Sequence, residues 1–271
     1  MSNFLADVIQ HKKSELESKK AARSLDLLKS AARPASSSFL RALEGDGLKI
    51  IAEIKPRSPS LGQLDSKVSL EERLEIYQSN AQAVSVLCDQ RFFGGSIELL
   101  QSISAKLSLP TLLKDFVIDP YQVYEARVAG AEAVLLIAKI LQKHELEELN
   151  SLVLELGMTP LIEVQTEDEI DFVESINPAL LLINNRNLET LKMDLQTVER
   201  LVKKLKYNSK VIAASGIENA EQMMQMRPFA SRFLIGSALM ACDDPLAKFR
   251  EFSEAEASFQ KQMQRSKSCQ S

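Results

Sequence analysis

Charged and amide side chains interrupt four apolar segments of this 271-residue chain, with the spacing of an acid–base site. The segment IIAEIK ends in Glu53 and Lys55, two residues apart, so an extended backbone points both side chains to one face. TLLKDF sets Lys114 and Phe116 on one face in the same way. TPLIEV carries Glu163 among apolar neighbours, and LLLINNR places Asn184 and Arg186 together. A charge inside an apolar strand is costly unless it is paired or used. Any single one of these groups could point to solvent at a strand end. Two lysines, two glutamates and an arginine on four segments point instead to one shared mouth, where crowding favours proton transfer. Two further segments end in small residues, Ser215-Gly216 and Gly236-Ser237. Small residues let backbone N–H groups approach an anion such as a phosphate, although a Gly-Ser pair also marks an ordinary turn.

The elements that would hold these groups repeat along the chain. Eight short apolar runs are Lys49–Lys55, Ala83–Asp89, Pro110–Phe116, Ala133–Ala138, Thr159–Val164, Leu180–Arg186, Lys210–Ser215 and Arg232–Leu239. Each is followed by a stretch of helical period. Most are rich in Val, Ile and Leu without strict alternation, as strands buried on both faces are. Asp119-Pro120 and Asp244-Pro245 read as helix caps followed by a first-turn proline. Thr166 with Glu169, and Asn219 with Gln222, have capping-box spacing, and Gly130 and Gly157 fall where helices should stop. Strand–helix alternation requires a parallel sheet. Eight units favour closure into a (βα)8 TIM barrel, although periodicity alone leaves a doubly wound sheet open. Barrel enzymes carry their sites at the C-terminal ends of the strands, where the charged residues fall.

One domain is expected, with an N-terminal helical extension over 1–48, a barrel over 49–255 and a polar, frayed tail over 256–271. In the extension Phe4, Val8 and Ile9 form one apolar set and Ser24 caps a second pattern. It could plug a barrel end or serve as a lid over substrate. The segment PRSPSLGQLDS after the first strand is expected to be a mobile loop beside the mouth.

Composition narrows the partners. A hydrophobic content of 45% supplies a sizeable core, and a net charge of −4 argues against a general nucleic-acid surface. Cys88, Cys242 and Cys269 are odd in number and far apart, which does not suit a disulfide framework. His11 and His144 lack neighbours at metal-ligand spacing, so no metal is expected. No apolar run is long enough for a membrane span, and the N-terminus lacks the apolar centre of a signal peptide. The expected setting is a reducing cytoplasm, with a phosphorylated small molecule as partner, no nucleic acid or membrane, and a monomeric or weakly homo-oligomeric state.

At these residues the chain resembles the indole-3-glycerol-phosphate synthase family. The matching segments are IIAEIKPRSPSLG (50–62), FFGGSIELL (92–100), LLKDFVIDPYQVYEARVAGAEAVLLI (112–137), LIEVQTEDEI (161–170), INNRNLETLKMDL (183–195), ASGIENAEQM (214–223) and FLIGSALM (233–240). The resemblance implies a cofactor-free enzyme that closes the ring of an anthranilate-derived amino-deoxyribulose phosphate, expels carbon dioxide and loses water. It implies Lys114 as general acid for closure and Glu163 as an acid–base group of the later step. Lys55 would assist dehydration, tuned by Glu53, and Asn184 would hold sugar hydroxyls. Arg186 and Ser58 would contact anionic groups, Phe116 would pack on the aromatic ring, and Ser215, Gly216, Gly236 and Ser237 would cradle the phosphate.

The chain departs from the family where a glutamate usually stands two residues before the strand-seven glycine; here it is Ala214. Asn184 is expected to lose a partner there. Gln165 replaces a common histidine and Cys88 a common threonine. Two other readings remain at this stage: a Schiff-base aldolase barrel using Lys55 or Lys114, and a phosphate-binding pseudoenzyme, for which Ala214 is the argument.

Overall fold

Each apolar run forms a strand in the computed structural model, which describes residues 4–58, 62–63, 67–206 and 208–268. The strands are β1 (Lys49–Ile54), β2 (Ala83–Leu87), β3 (Thr111–Lys114), β4 (Ala133–Ile137), β5 (Thr159–Val164), β6 (Leu180–Asn184), β7 (Lys210–Ala214) and β8 (Arg232–Ile235). All neighbouring pairs are parallel, and β8 pairs with β1 to close the barrel. The chain is therefore a TIM barrel, and the open doubly wound alternative is set aside.

Period-two alternation divides the strand residues between two cores. Ile51, Leu112, Leu135, Leu161, Leu182, Ile212 and Leu234 fill the barrel interior. Their neighbours, such as Ile50, Leu113, Val134, Ile162 and Ile183, pack outward under the helices. The expected caps hold. Asp119 accepts from Tyr121 N ahead of Pro120, and Asn219 accepts from Gln222 N. Thr166 accepts from Glu169 N, but the Glu169 carboxylate reaches one residue further back, to Gln165 N.

The extension serves both ends of the barrel. Helix α1 (Phe4–Ala22) lies at the C-terminal ends of the strands, α2 (Leu25–Ala31) runs down the outside, and α3 (Ser38–Ala42) lies at the opposite end. Phe39 and Leu43 pack into the interior core, and Arg232, at the start of β8, donates to Leu43 O at 2.7 Å. Plug and mouth cover are thus separate parts of one segment. The anchor of α1 is Lys12, buried with its ammonium 3.0 Å from Asp115, 2.9 Å from Glu15 and 3.4 Å from Asp89. Burial disfavours its charge, yet the carboxylates outweigh it, Asp115 foremost, and raise its pKa.

Three expectations at segment ends are corrected. The eighth run was expected to stay extended to Leu239, but the strand stops at Ile235 and Ser237–Met240 is a helical turn closed by Gly236 O. Asp89, Phe116 and Arg186 likewise lie beyond the ladder, since β2, β3 and β6 end at Leu87, Lys114 and Asn184. The C-terminal segment does not fray at 256: a helix runs from Pro245 to Ser268. Phe249 and Phe252 are buried, and Arg227 forks onto Glu256 at 2.6 and 2.7 Å, which ties the polar stretch down. No helix among the described residues is long and apolar enough to cross a membrane.

Candidate active site

On β1, β3, β5 and β6 the inward face continues past the apolar layers into polar residues, Glu53, Lys114, Glu163 and Asn184. On β1 this puts Glu53 inside, 3% exposed, with Lys55 just beyond the strand. The Glu53 carboxylate lies between two ammonium groups: Oε1 is 2.9 Å from Lys55 Nζ and Oε2 is 3.5 Å from Lys114 Nζ. Burial works against ionisation, but the pull of Lys55 and then Lys114 brings the Glu53 pKa below the ordinary carboxylate value. Lys55 also donates to Ser237 Oγ at 3.3 Å.

Two adjoining cavities meet at this cluster. The larger, about 160 Å³, is lined by Glu53, Lys55, Lys114, Asn184, Arg186, Ser215, Gly216, Gly236 and Ser237. The smaller, about 40 Å³, is lined by Phe116, Glu163, Leu87 and Phe93. Lys114, Asn184, Phe93 and Leu188 border both. The polar and apolar ends suit a molecule with an anion at one end and an aromatic ring at the other.

All the residues singled out from sequence converge here except Ser58. Its backbone pairs with Gly62 in a short hairpin, and its side chain lies outside the described residues, as does much of the expected mobile loop. Glu163 is 2% exposed, and its Oε1 accepts from Asn184 Nδ2 at 2.8 Å and Gln165 Nε2 at 3.2 Å. Asn184 Oδ1 accepts from Arg186 N at 3.0 Å. Asn184 therefore has two partners with no carboxylate at position 214. Ala214 faces Asn184 in register and is flanked on its other side by Leu234, at the wall of the larger cavity. Arg186 Nη1 donates to Leu191 O at 3.3 Å, within a segment that folds back through an Arg186–Met193 bridge.

The glycines have duties beyond approach to an anion. Ser215 and Gly216 are both left-handed, at φ 68° and 75°. A Cβ on Gly216 would stand 2.6 Å from Leu195 and 2.9 Å from Met193 Sδ. A Cβ on Gly236 would run into the Glu53 carboxylate. Sequence reasoning missed the aromatic lining from outside the barrel strands. Phe4 reaches the larger cavity from α1 and meets Phe92 edge-on at 5.3 Å, and Phe93 lies 6.2 Å from Phe116. It also missed Leu188, Leu191 and Met193, whose loop carries no periodic signal. Cys88 is the buried thiol expected, its pKa pushed up by burial. Among the described residues no three His, Cys, Asp or Glu side chains are grouped to hold a metal ion.

The sequence model of a family described as indole-3-glycerol phosphate synthase matches residues 5–252. The chain belongs to this family. The indole-3-glycerol phosphate synthase of Lachnospira eligens is 40% identical over 225 residues, 81% of this chain and 84% of that protein. The synthase of Aquifex aeolicus is 38% identical over 92% of this chain and 98% of that protein. Among solved structures, 3-hexulose-6-phosphate synthase from Salmonella typhimurium matches with a TM-score of 0.62 over 78% of this chain and 99% of that one. At 12% identity that likeness is one of fold alone.

Proposed function

We propose that this chain is an indole-3-glycerol-phosphate synthase acting on 1-(2-carboxyphenylamino)-1-deoxyribulose 5-phosphate in tryptophan biosynthesis, with its own acids and bases as the catalysts. The observation that carries the reading is the Glu53 carboxylate held between Lys55 and Lys114 where a polar and an aromatic-lined cavity meet.

The ring carbon bearing the carboxylate attacks the ketone, and Lys114, bordering both cavities, delivers a proton to the ketone oxygen. Positive charge then rests on the nitrogen as an iminium. The electrons of the breaking bond to carbon dioxide flow into it, so the substrate supplies its own electron sink. Lys55 assists departure of the hydroxyl as water, and Glu163 removes the remaining ring proton to complete the indole. Glu53 aligns both ammonium groups, Asn184 holds the sugar hydroxyls and Phe116 packs on the aromatic ring. Arg186 and Ser58 meet anionic groups of the substrate, and Ser215, Gly216, Gly236 and Ser237 receive the phosphate. Both lysines lie within ion-pair distance of Glu53, an arrangement that suits proton delivery rather than Schiff-base attack. Cys88 and Cys242, neither of them in a disulfide, fit a reducing cytoplasm.

The test is incubation with the anthranilate-derived substrate, monitored by indole fluorescence and released carbon dioxide, with borohydride added in a parallel sample. Indole-3-glycerol phosphate without a trapped adduct is expected. A borohydride-stable lysine adduct, or binding without turnover, would overturn the reading.

A further inference from the structure

The Glu163 carboxylate is held from one side only. Asn184 and Gln165 both donate to Oε1, and among the described residues no hydrogen bond reaches Oε2. Glu163 lines the smaller cavity, so Oε2 is the oxygen left for substrate. Asn184 is itself a lining residue, but Gln165 lines neither cavity and is 7% exposed. Its side-chain amide and its backbone N–H each have a partner on this side of the barrel. Its side-chain oxygen accepts from Leu188 N at 2.9 Å, and its backbone N donates to Glu169 Oε2 at 2.7 Å. Leu188 borders both cavities and opens the segment that brings Leu191 and Met193 to the mouth. One buried amide thus joins the carboxylate to the loop that closes over it.

We propose that Gln165 is a positioning residue for Glu163, fixing which carboxylate oxygen faces the substrate and tying that carboxylate to the loop at Leu188. The proposal rests on the reading of Glu163 as an acid–base group. A carboxylate restrained by two donors at one oxygen keeps its other oxygen aimed. With one donor it can rotate, and proton transfer depends on alignment within hydrogen-bond reach. A bond to a charged group is among the stronger kinds, so losing it is expected to lower kcat about 10–100-fold.

The experiment is a double-mutant cycle between Gln165→Leu and Glu163→Gln, with folding checked by circular dichroism and Gln165→Met as a second apolar variant. If Gln165 acts through Glu163, Gln165→Leu lowers kcat about 10–100-fold alone, changes KM less than about threefold, and adds less than about threefold in the Glu163→Gln background. Gln165→His should restore kcat to within about threefold of the parent chain, because a neutral imidazole offers one N–H donor and one nitrogen acceptor. Equal losses in both backgrounds, or near-parent kcat for both apolar variants, would overturn the positioning role and leave the reading of Glu163 intact. Normal turnover by Glu163→Gln would remove Glu163 from the reaction, and the proposal with it.

Discussion

Gly236→Ala separates two duties of one glycine. Gly236 has φ −112° and ψ −79°, outside the left-handed region, so alanine introduces no positive-φ strain. The added Cβ would run into Glu53 Oε1, stand 2.9 Å from its carboxyl carbon and 3.2 Å from Lys55 Nζ. Restoring an ordinary contact moves the carboxyl carbon by roughly 0.5–1 Å. The carboxyl end is flexible and opens on a cavity of about 160 Å³, so the fold absorbs the shift. The chemistry does not, because the same oxygen makes the 2.9 Å pair with Lys55. Misplacement by ~1 Å at a reacting centre costs on the order of 10²-fold in rate, or about 2.7 kcal/mol of barrier. The expected result is a folded variant with kcat about 10²-fold lower and KM within about threefold of the parent. Steady-state indole formation and thermal unfolding measure both. A raised KM with unchanged kcat would refute the reasoning: Gly236 would then matter for approach of the phosphate alone, and the placement of Glu53 would not matter to the rate.

Two further outcomes follow from the same site. Ala214→Glu should raise kcat/KM about 10-fold by giving a substrate hydroxyl a charged acceptor at the wall of the larger cavity; an unchanged or lower value would mean that the Glu163–Asn184–Gln165 network leaves that carboxylate no role. The folded-state pKa of Glu53 is depressed below its ordinary 4.5, so its ion pairs stabilise the fold above that pH and are lost as pH falls through the folded value. Urea unfolding between about pH 7 and 3 should therefore show a steeper acid loss of stability in the parent than in Glu53→Gln, and parallel curves would contradict the pairing.

The barrel and most of its site were legible because strand periodicity determines both. Glu53, Lys114, Glu163 and Asn184 stand on inward faces by period two, closure points every such face to one axis, and Lys55, Phe116 and Arg186 follow just beyond the strand ends. Residues that reach the site from outside the strands were not legible. Phe4 comes from a helix 49 positions before Glu53 in sequence, and Leu191 from a loop in which it adopts a left-handed φ of 58°. Only tertiary packing places them. The partner that Asn184 takes was not legible for a related reason. Its amide turns to Glu163, on the adjacent strand β5, and sequence spacing says nothing about which neighbour a side chain chooses. The polar C-terminal helix was hidden because its anchor is a pair 29 residues apart, Arg227 with Glu256.

The most direct measurement is the rate of indole-3-glycerol phosphate formation by the parent chain and by Lys114→Ala, both after exhaustive chelation. Lys114 borders both cavities and is the group assigned to protonate the ketone as the ring closes. The expected result is undiminished turnover by the chelated parent and a folded Lys114→Ala slower by about 10²–10⁴-fold. Near-normal turnover by Lys114→Ala, or loss of parent activity that a divalent ion restores, would contradict ring closure by the protein's own acids and bases.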